Sequence, residues 1–111
     1  MERRRQERYQ VWFPITVVTD DGQEGTAITY DVSSTGLLMA CPGRLETGVH
    51  LTLRVRIDPD TPERSVRGSV VRVEDRPDED GPWRHRLAVD FDEAQPDLQG
   101  LLEAAAAEEK A

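Results

Sequence analysis

Two short clusters in this 111-residue chain carry side chains that could bind a ligand, one cationic and suited to an anion, the other pairing a carboxylate acceptor with a hydroxyl. The first is Arg4-Arg5-Gln6-Glu7-Arg8, preceded by Arg3. Arg4 and Arg8 are four apart, so they share a face in a helical turn and also in an extended segment. The second is Asp31-Val32-Ser33-Ser34-Thr35-Gly36. Residues two apart on a strand point to the same side, which sends Asp31 and Ser33 together, opposite Ile28, Tyr30 and Val32. Gly36 can adopt φ > 0 and lets another group approach the backbone closely. Each cluster alone also fits a plain structural account: a solvated charged terminus, and an ordinary strand end followed by a Ser-Ser-Thr-Gly turn. The Arg-xxx-Arg spacing recurs at Arg72 and Arg76 in a chain with thirteen arginines. The informative feature is the combination, an arginine pair just before the first strand and Asp-x-Ser-x-x-Gly closing the second.

Charge sharpens the contrast. The formal net charge is −8, with +2 over residues 1–10 and −10 over the remainder. An acidic body argues against broad, sequence-independent binding of DNA or RNA. A basic arm on such a body is either a solvated terminus or an anion-binding device, and composition does not choose between them.

The elements that must position these residues are strands. Val11, Phe13, Ile15 and Val17 alternate, and Pro14 removes a ladder donor, so this strand is expected at an edge or with a bulge. Asp20-Asp21-Gly22 is a turn signal. Ile28, Tyr30 and Val32 form the apolar side of a second strand, and Leu37 to Cys41 a short third, ended by Pro42-Gly43. The fourth is the clearest: Val49, Leu51, Leu53, Val55 and Ile57 face one way and His50, Thr52, Arg54 and Arg56 the other. Residues 65–74 make a fifth, whose alternation slips at Val70-Val71 and so predicts a bulge. Trp83, His85, Leu87, Val89 and Phe91 form the inward face of a sixth. Leu98, Leu101, Leu102 and Ala105 then recur at helical spacing, with Asp97 as N-cap and Gly100 costing about 1 kcal/mol relative to alanine. Six short antiparallel strands and one helix make a single domain, in which closure into a barrel removes exposed edges. The expected layout is an arm over 1–9, a barrel over 10–92, and a helix and tail over 93–111.

On these residues the chain resembles the PilZ domain family. That family pairs an Arg-xxx-Arg arm, often preceded by another arginine, with an [Asp/Asn]-x-Ser-x-x-Gly segment, matched here by Arg4, Arg8, Asp31, Ser33 and Gly36. Order, separation and the strand-plus-helix pattern agree over roughly residues 3 to 105. One departure is Ala88, where many members have glycine, which affects only close packing there. The resemblance implies a six-stranded antiparallel PilZ-type β-barrel with a C-terminal α-helix, and a receptor for cyclic di-GMP without catalytic activity. With room for one domain only, a stand-alone adaptor that signals to an unidentified downstream protein is expected. The second reading is a PilZ-fold interaction module that binds no nucleotide; the presence of all five signature residues favours the first.

The chemistry is consistent with that ligand. Arginine presents a planar fork that matches phosphate oxygens or the O6/N7 edge of guanine, and it stacks on bases. A carboxylate at Asp31 accepts from the N1–H and N2–H₂ donors of guanine, a pair adenine lacks. Ser33 would donate to a phosphate or base and Gly36 would make room. Arg3, Arg5 and, more weakly, Arg72 are supporting positions.

Other features read as structural. His50 and His85 have no partner at metal-ligand spacing, and no metal or cofactor is expected. Ser33 has no base nearby in the motif, and no triad or phosphate-cradling glycine loop is present, so no enzyme is expected. Cys41 reads as a small buried hydrophobe, Trp12 as a rim or surface aromatic and Trp83 as core. No apolar stretch follows the N-terminal basic residues and none is long enough to span a bilayer, so a cytoplasmic protein without membrane insertion is expected.

Overall fold

Six runs of alternating residues become six antiparallel strands: β1 (Pro14–Thr19), β2 (Glu24–Val32), β3 (Gly36–Cys41), β4 (His50–Val55), β5 (Arg64–Asp75) and β6 (His85–Phe91), followed by helix α1 (Leu98–Lys110). The computed structural model describes residues 9–57, 59–75, 81 and 83–110, with side chains as far as 105. The strands close into a barrel in the order β1-β2-β3-β6-β5-β4. The expected barrel and helix are both present.

Closure changes one expectation. β1 is not an edge strand, because it pairs with β2 on one side and β4 on the other. Proline is tolerated because Pro14 is the first residue of β1 and lies opposite Ile28 of β2, before the pairing with β4 begins at Thr16. Its missing N–H is therefore not asked for by a second neighbour. No register shift interrupts the β1–β2 pairing.

Two strands do carry register shifts. β5 slips between Val70 and Arg72, as the broken alternation predicts, leaving Val71 43% exposed. β2 slips between Thr29 and Asp31, which its sequence pattern does not announce. Before the slip Ala27 and Thr29 point inward, both 0% exposed, and Ile28 and Tyr30 are only partly buried. After it Val32 is inside. The expected apolar face of Ile28, Tyr30 and Val32 is thus split: the bulge adds one residue, and everything before it changes sides.

Thr29 is a buried polar residue with a specific use. Its hydroxyl donates to the Val11 carbonyl at 2.6 Å and accepts from the Phe13 N–H at 3.0 Å, while its own N–H donates to the Phe13 carbonyl at 3.0 Å. The segment leading into β1 is thereby fastened to β2. A mutual backbone pair at 2.9 and 3.0 Å joins Tyr9 to Val32 at the start of that segment.

Antiparallel pairing puts the start of β1, the end of β2, the start of β3, the end of β4, the start of β5 and the end of β6 at one end of the barrel. α1 is tied to that same end. Leu98 and Leu102 join the barrel core, 2% and 0% exposed. Asp97 stands immediately before the helix, as expected of a cap, but its carboxylate receives two bonds from Arg64 of β5, at 2.8 and 3.1 Å. Those bonds hold the Asp97 carboxyl below its usual range. The 33–36 turn is fixed there too, with the Gln95 N–H donating to the Ser34 carbonyl at 2.7 Å and the Phe91 N–H to the Thr35 carbonyl at 2.9 Å.

Trp83 differs from expectation: it precedes β6, is only half-buried, and stands outside the core cluster. Nor is His85 a simple packing residue, since its Nδ1 is 2.8 Å from the carboxylate of Asp75, its register partner on β5. Cys41 is buried, and burial pushes its thiol up to about 12.

Two substitutions test this account of the site end. A Cβ at Gly36 would stand 2.5 Å from the Val89 carbonyl oxygen on β6, a backbone atom that cannot swing away. Gly36→Ala should therefore lower the unfolding free energy in urea by about 1–3 kcal/mol; a midpoint equal to the parent's would contradict the contact. Thr29→Val keeps the shape and removes the hydroxyl, stranding the Val11 carbonyl and the Phe13 N–H. The expected loss is about 1–3 kcal/mol, and Thr29→Ser should restore most of it.

Candidate functional site

The bulge in β2 builds the site. With Thr29 and Val32 both inward, the two residues between them, Tyr30 and Asp31, stand on the outer face and are each partly exposed. Asp31 pairs with Leu38 of β3, Leu38 with Ala88 of β6, and Ala88 with Arg72 of β5. One transverse row on the outer face therefore runs Asp31, Leu38, Ala88, Arg72, across about 14 Å of sheet at the usual strand spacing. Both bulges, at Tyr30 and at Val71, sit immediately beside this row. Two of the sequence candidates, Asp31 and Arg72, are thus brought to one face.

Ser33 is placed differently. It is 0% exposed and does not project beside Asp31. Its hydroxyl accepts from the N–H groups of Thr35 and Gly36, both at 3.2 Å, and its backbone N–H donates to the Gly36 carbonyl at 2.8 Å. The side chain closes the turn, as hydroxyls do in local side-chain-to-backbone motifs. Gly36 has no positive φ; its missing side chain admits the backbone of β6. In this motif the serine and the glycine shape the loop that carries Asp31.

The arm candidates Arg3, Arg4, Arg5 and Arg8 lie outside the described residues. What the structure does fix is where the arm joins the barrel. Tyr9, the residue after Arg8, is bridged to Val32, the residue after Asp31. The Tyr9 hydroxyl also donates to Glu103 of α1 at 3.2 Å, so arm, motif and helix meet at one end.

Three further residues share this face, and spacing alone gave no sign of their association. The Arg86 guanidinium carbon lies 4.3 Å from the centre of the Tyr30 ring, and Arg86 donates to the Tyr30 hydroxyl at 2.8 Å. This is a cation–π contact with an added hydrogen bond. Trp12 meets Tyr30 edge-to-face, with centroids 5.7 Å apart at 84°. Trp12 is 65% exposed, as expected of a rim aromatic. Ala40 lies between β2 and Arg86 in the register and is only 2% exposed despite facing outward. Its small side chain lets Arg86 lie across β3 to reach Tyr30.

Most other described arginines are engaged with carboxylates. Arg44 bonds Asp75 and Glu46, Arg54 bonds Glu24, Arg64 bonds Asp97, and Arg67 bonds Asp20. The Arg67 bond holds the Asp20 carboxyl below its usual range. Arg72 bonds Glu74 at 3.3 Å and is well exposed. A cavity of about 210 Å³ lies at the opposite end of the barrel, lined by Val17, Thr26, Cys41 and Leu45 among others. Burial keeps the Cys41 thiol in this cavity protonated. Among the described residues, no three His, Cys, Asp or Glu side chains come together as a metal site, and no helix is long and apolar enough to cross a membrane.

Comparison with solved structures finds the same architecture. The Bacillus subtilis inhibitor of motility MotI/DgrA superposes with a TM-score of 0.72 at 18% identity, covering 98% of this chain and 52% of that one. The PilZ domain of YcgR from Escherichia coli, solved with c-di-GMP, superposes at 0.69 with 16% identity, covering 98% and 95%. The K. pneumonia MrkH–c-di-GMP complex gives 0.61 at 15% identity, covering 94% and 51%. The chain therefore spans about half the length of MotI/DgrA and of MrkH. No curated protein matches it. The family model for the PilZ domain matches residues 2–108, nearly the whole sequence, and the chain belongs to the PilZ domain family.

Proposed function

We propose that this domain is a receptor for cyclic di-GMP, holding the dinucleotide between the N-terminal arginines and the outer face at Asp31. The observation that carries the reading is the Tyr9–Val32 bridge, which joins the residue after Arg8 to the residue after Asp31. Two segments far apart in sequence, one cationic and one presenting a carboxylate, are thereby tied to one point of the barrel. The solved complexes of YcgR and MrkH with c-di-GMP support the same ligand.

In this reading Asp31 accepts from the N1–H and N2–H₂ groups of guanine. Arg4 and Arg8 bind phosphate oxygens or guanine edges, with Arg3 and Arg5 adding charge or stacking. Ser33 and Gly36 act by shaping the turn behind Asp31. Arg72 closes the far end of the outer row once it exchanges Glu74 for the ligand. The arm's positive charge has a physical necessity: a dianion approaching a body of formal charge −10 is repelled until local cations compensate. No catalytic step is assigned. The domain works in the cytoplasm, and ligand capture changes the surface around the arm, which a partner protein reads.

Calorimetry tests the ligand and the role of Asp31 together. The domain should bind cyclic di-GMP well above cyclic di-AMP. Affinity should fall in the order parent, Asp31→Asn, Asp31→Ala, because asparagine keeps one acceptor and alanine keeps none. The alanine variant should lose about 1–3 kcal/mol of binding. Absence of binding by the parent would leave a protein-interaction module, and equal affinity for both nucleotides would overturn the assignment of Asp31.

The arm has its own test. Arg4→Ala and Arg8→Ala should each weaken binding by about ten- to a hundredfold, the value of a charge-assisted bond. Their melting temperatures without ligand should match the parent's. A large drop in melting temperature would make these arginines structural.

A further inference from the structure

Trp12 is a large apolar ring left 65% exposed in a protein that buries most of its other bulky apolar side chains. Its orientation is not accidental. Thr29 bonds the carbonyl of Val11 and the N–H of Phe13, the two residues flanking it. Val11 is 1% exposed and Phe13 packs against the core. With both neighbours turned inward and held, the alternation of an extended segment turns Trp12 outward. Tyr30 then fixes the indole from the side by the edge-to-face contact. Tyr30 itself is committed, since the Arg86 guanidinium stacks on it and bonds its hydroxyl. Tyr30 is also the chain neighbour of Asp31, and the β2 bulge puts both on the outer face.

We propose that Trp12 is a preformed stacking surface for a guanine of the bound dinucleotide, flanking the base whose edge Asp31 reads. The inference rests on the receptor reading above and adds a residue outside the arginine and Asp-x-Ser-x-x-Gly signatures. Three features favour a nucleobase as the occupant. The indole sits at the foot of the cationic arm, four residues after Arg8, where an anionic ligand is concentrated. It meets Tyr30, the chain neighbour of the residue that supplies the guanine acceptor. With the backbone on both sides held by Thr29 and the ring set against Tyr30, the indole loses little freedom on stacking, so more of the stacking energy appears as affinity. Trp12 and Asp31 then divide the work: the carboxylate selects guanine and the indole adds affinity that any base could receive.

Because the chain has only two tryptophans, Trp12 and Trp83, the ring can be watched directly. In a Trp83→Phe background, titration with cyclic di-GMP should quench and shift the emission of Trp12. Calorimetry should show Trp12→Ala weakened by about tenfold or more, the range for loss of one base–aromatic stack. Trp12→Phe, which keeps a ring, should stay within about threefold of the parent. Equal melting temperatures establish that each variant is folded. If the parent binds and Trp12→Ala binds within about twofold of it, the stacking role is overturned and the receptor reading stands. If the parent binds no cyclic di-GMP, both are overturned.

Discussion

The extra residue in β2 is the constraint on which the site depends. Without it, strict alternation from Ala27 and Thr29 would send Asp31 into the barrel, where an ionised carboxylate without a partner is prohibitively costly. The bulge between Thr29 and Asp31 turns the chain by one residue, so that Thr29 and Val32 are both inside and Tyr30 and Asp31 both outside. The hydroxyl of Thr29 stabilises the segment alongside by satisfying the backbone of Val11 and Phe13. The same buried side chain therefore supports the face that presents Asp31 and the path by which the arm enters the barrel.

The second bulge, at Val71 in β5, lies beside the same row of the register. Bulges bend strands and increase local twist, and two of them flanking the row Asp31, Leu38, Ala88, Arg72 curve the outer face there. Small residues permit the close approaches. Gly36 admits the backbone of β6, and Gly68, whose Cβ would stand 2.5 Å from the Asp90 carbonyl oxygen, does the same from β5. Ala40 leaves room for Arg86 to cross β3. The Asp-x-Ser-x-x-Gly motif is in this sense mostly architecture: one residue faces outward with a charge, and the other two hold the turn from which it projects.

Electrostatics explains the division between arm and body. The body's described arginines largely neutralise neighbouring carboxylates, and those pairs are exposed, so each adds little stability. They are also poor reserves for an incoming anion, which would have to compete with an existing partner. The unbalanced positive charge is concentrated in the first ten residues.

Strand number, strand type, the β5 bulge and the C-terminal helix were all readable from the chain, because each depends on local spacing. Alternation in β4 or helical spacing at Leu98, Leu101 and Leu102 is a property of neighbours in sequence. The face occupied by Ile28 and Tyr30 was misread, because both are apolar enough to pass for core and the bulge that turns them out is set by pairing with β3. Pro14 suggested an edge because a sequence does not show that β4 returns to close the barrel beyond it. Asp97 spends its carboxylate on Arg64, 33 residues away. The meeting of Trp12, Tyr30 and Arg86 joins the segment before β1 to β2 and β6, and is decided only when the barrel closes. Local periodicity determined which elements form; register and closure, which depend on pairing between distant segments, decided which side chains share a face.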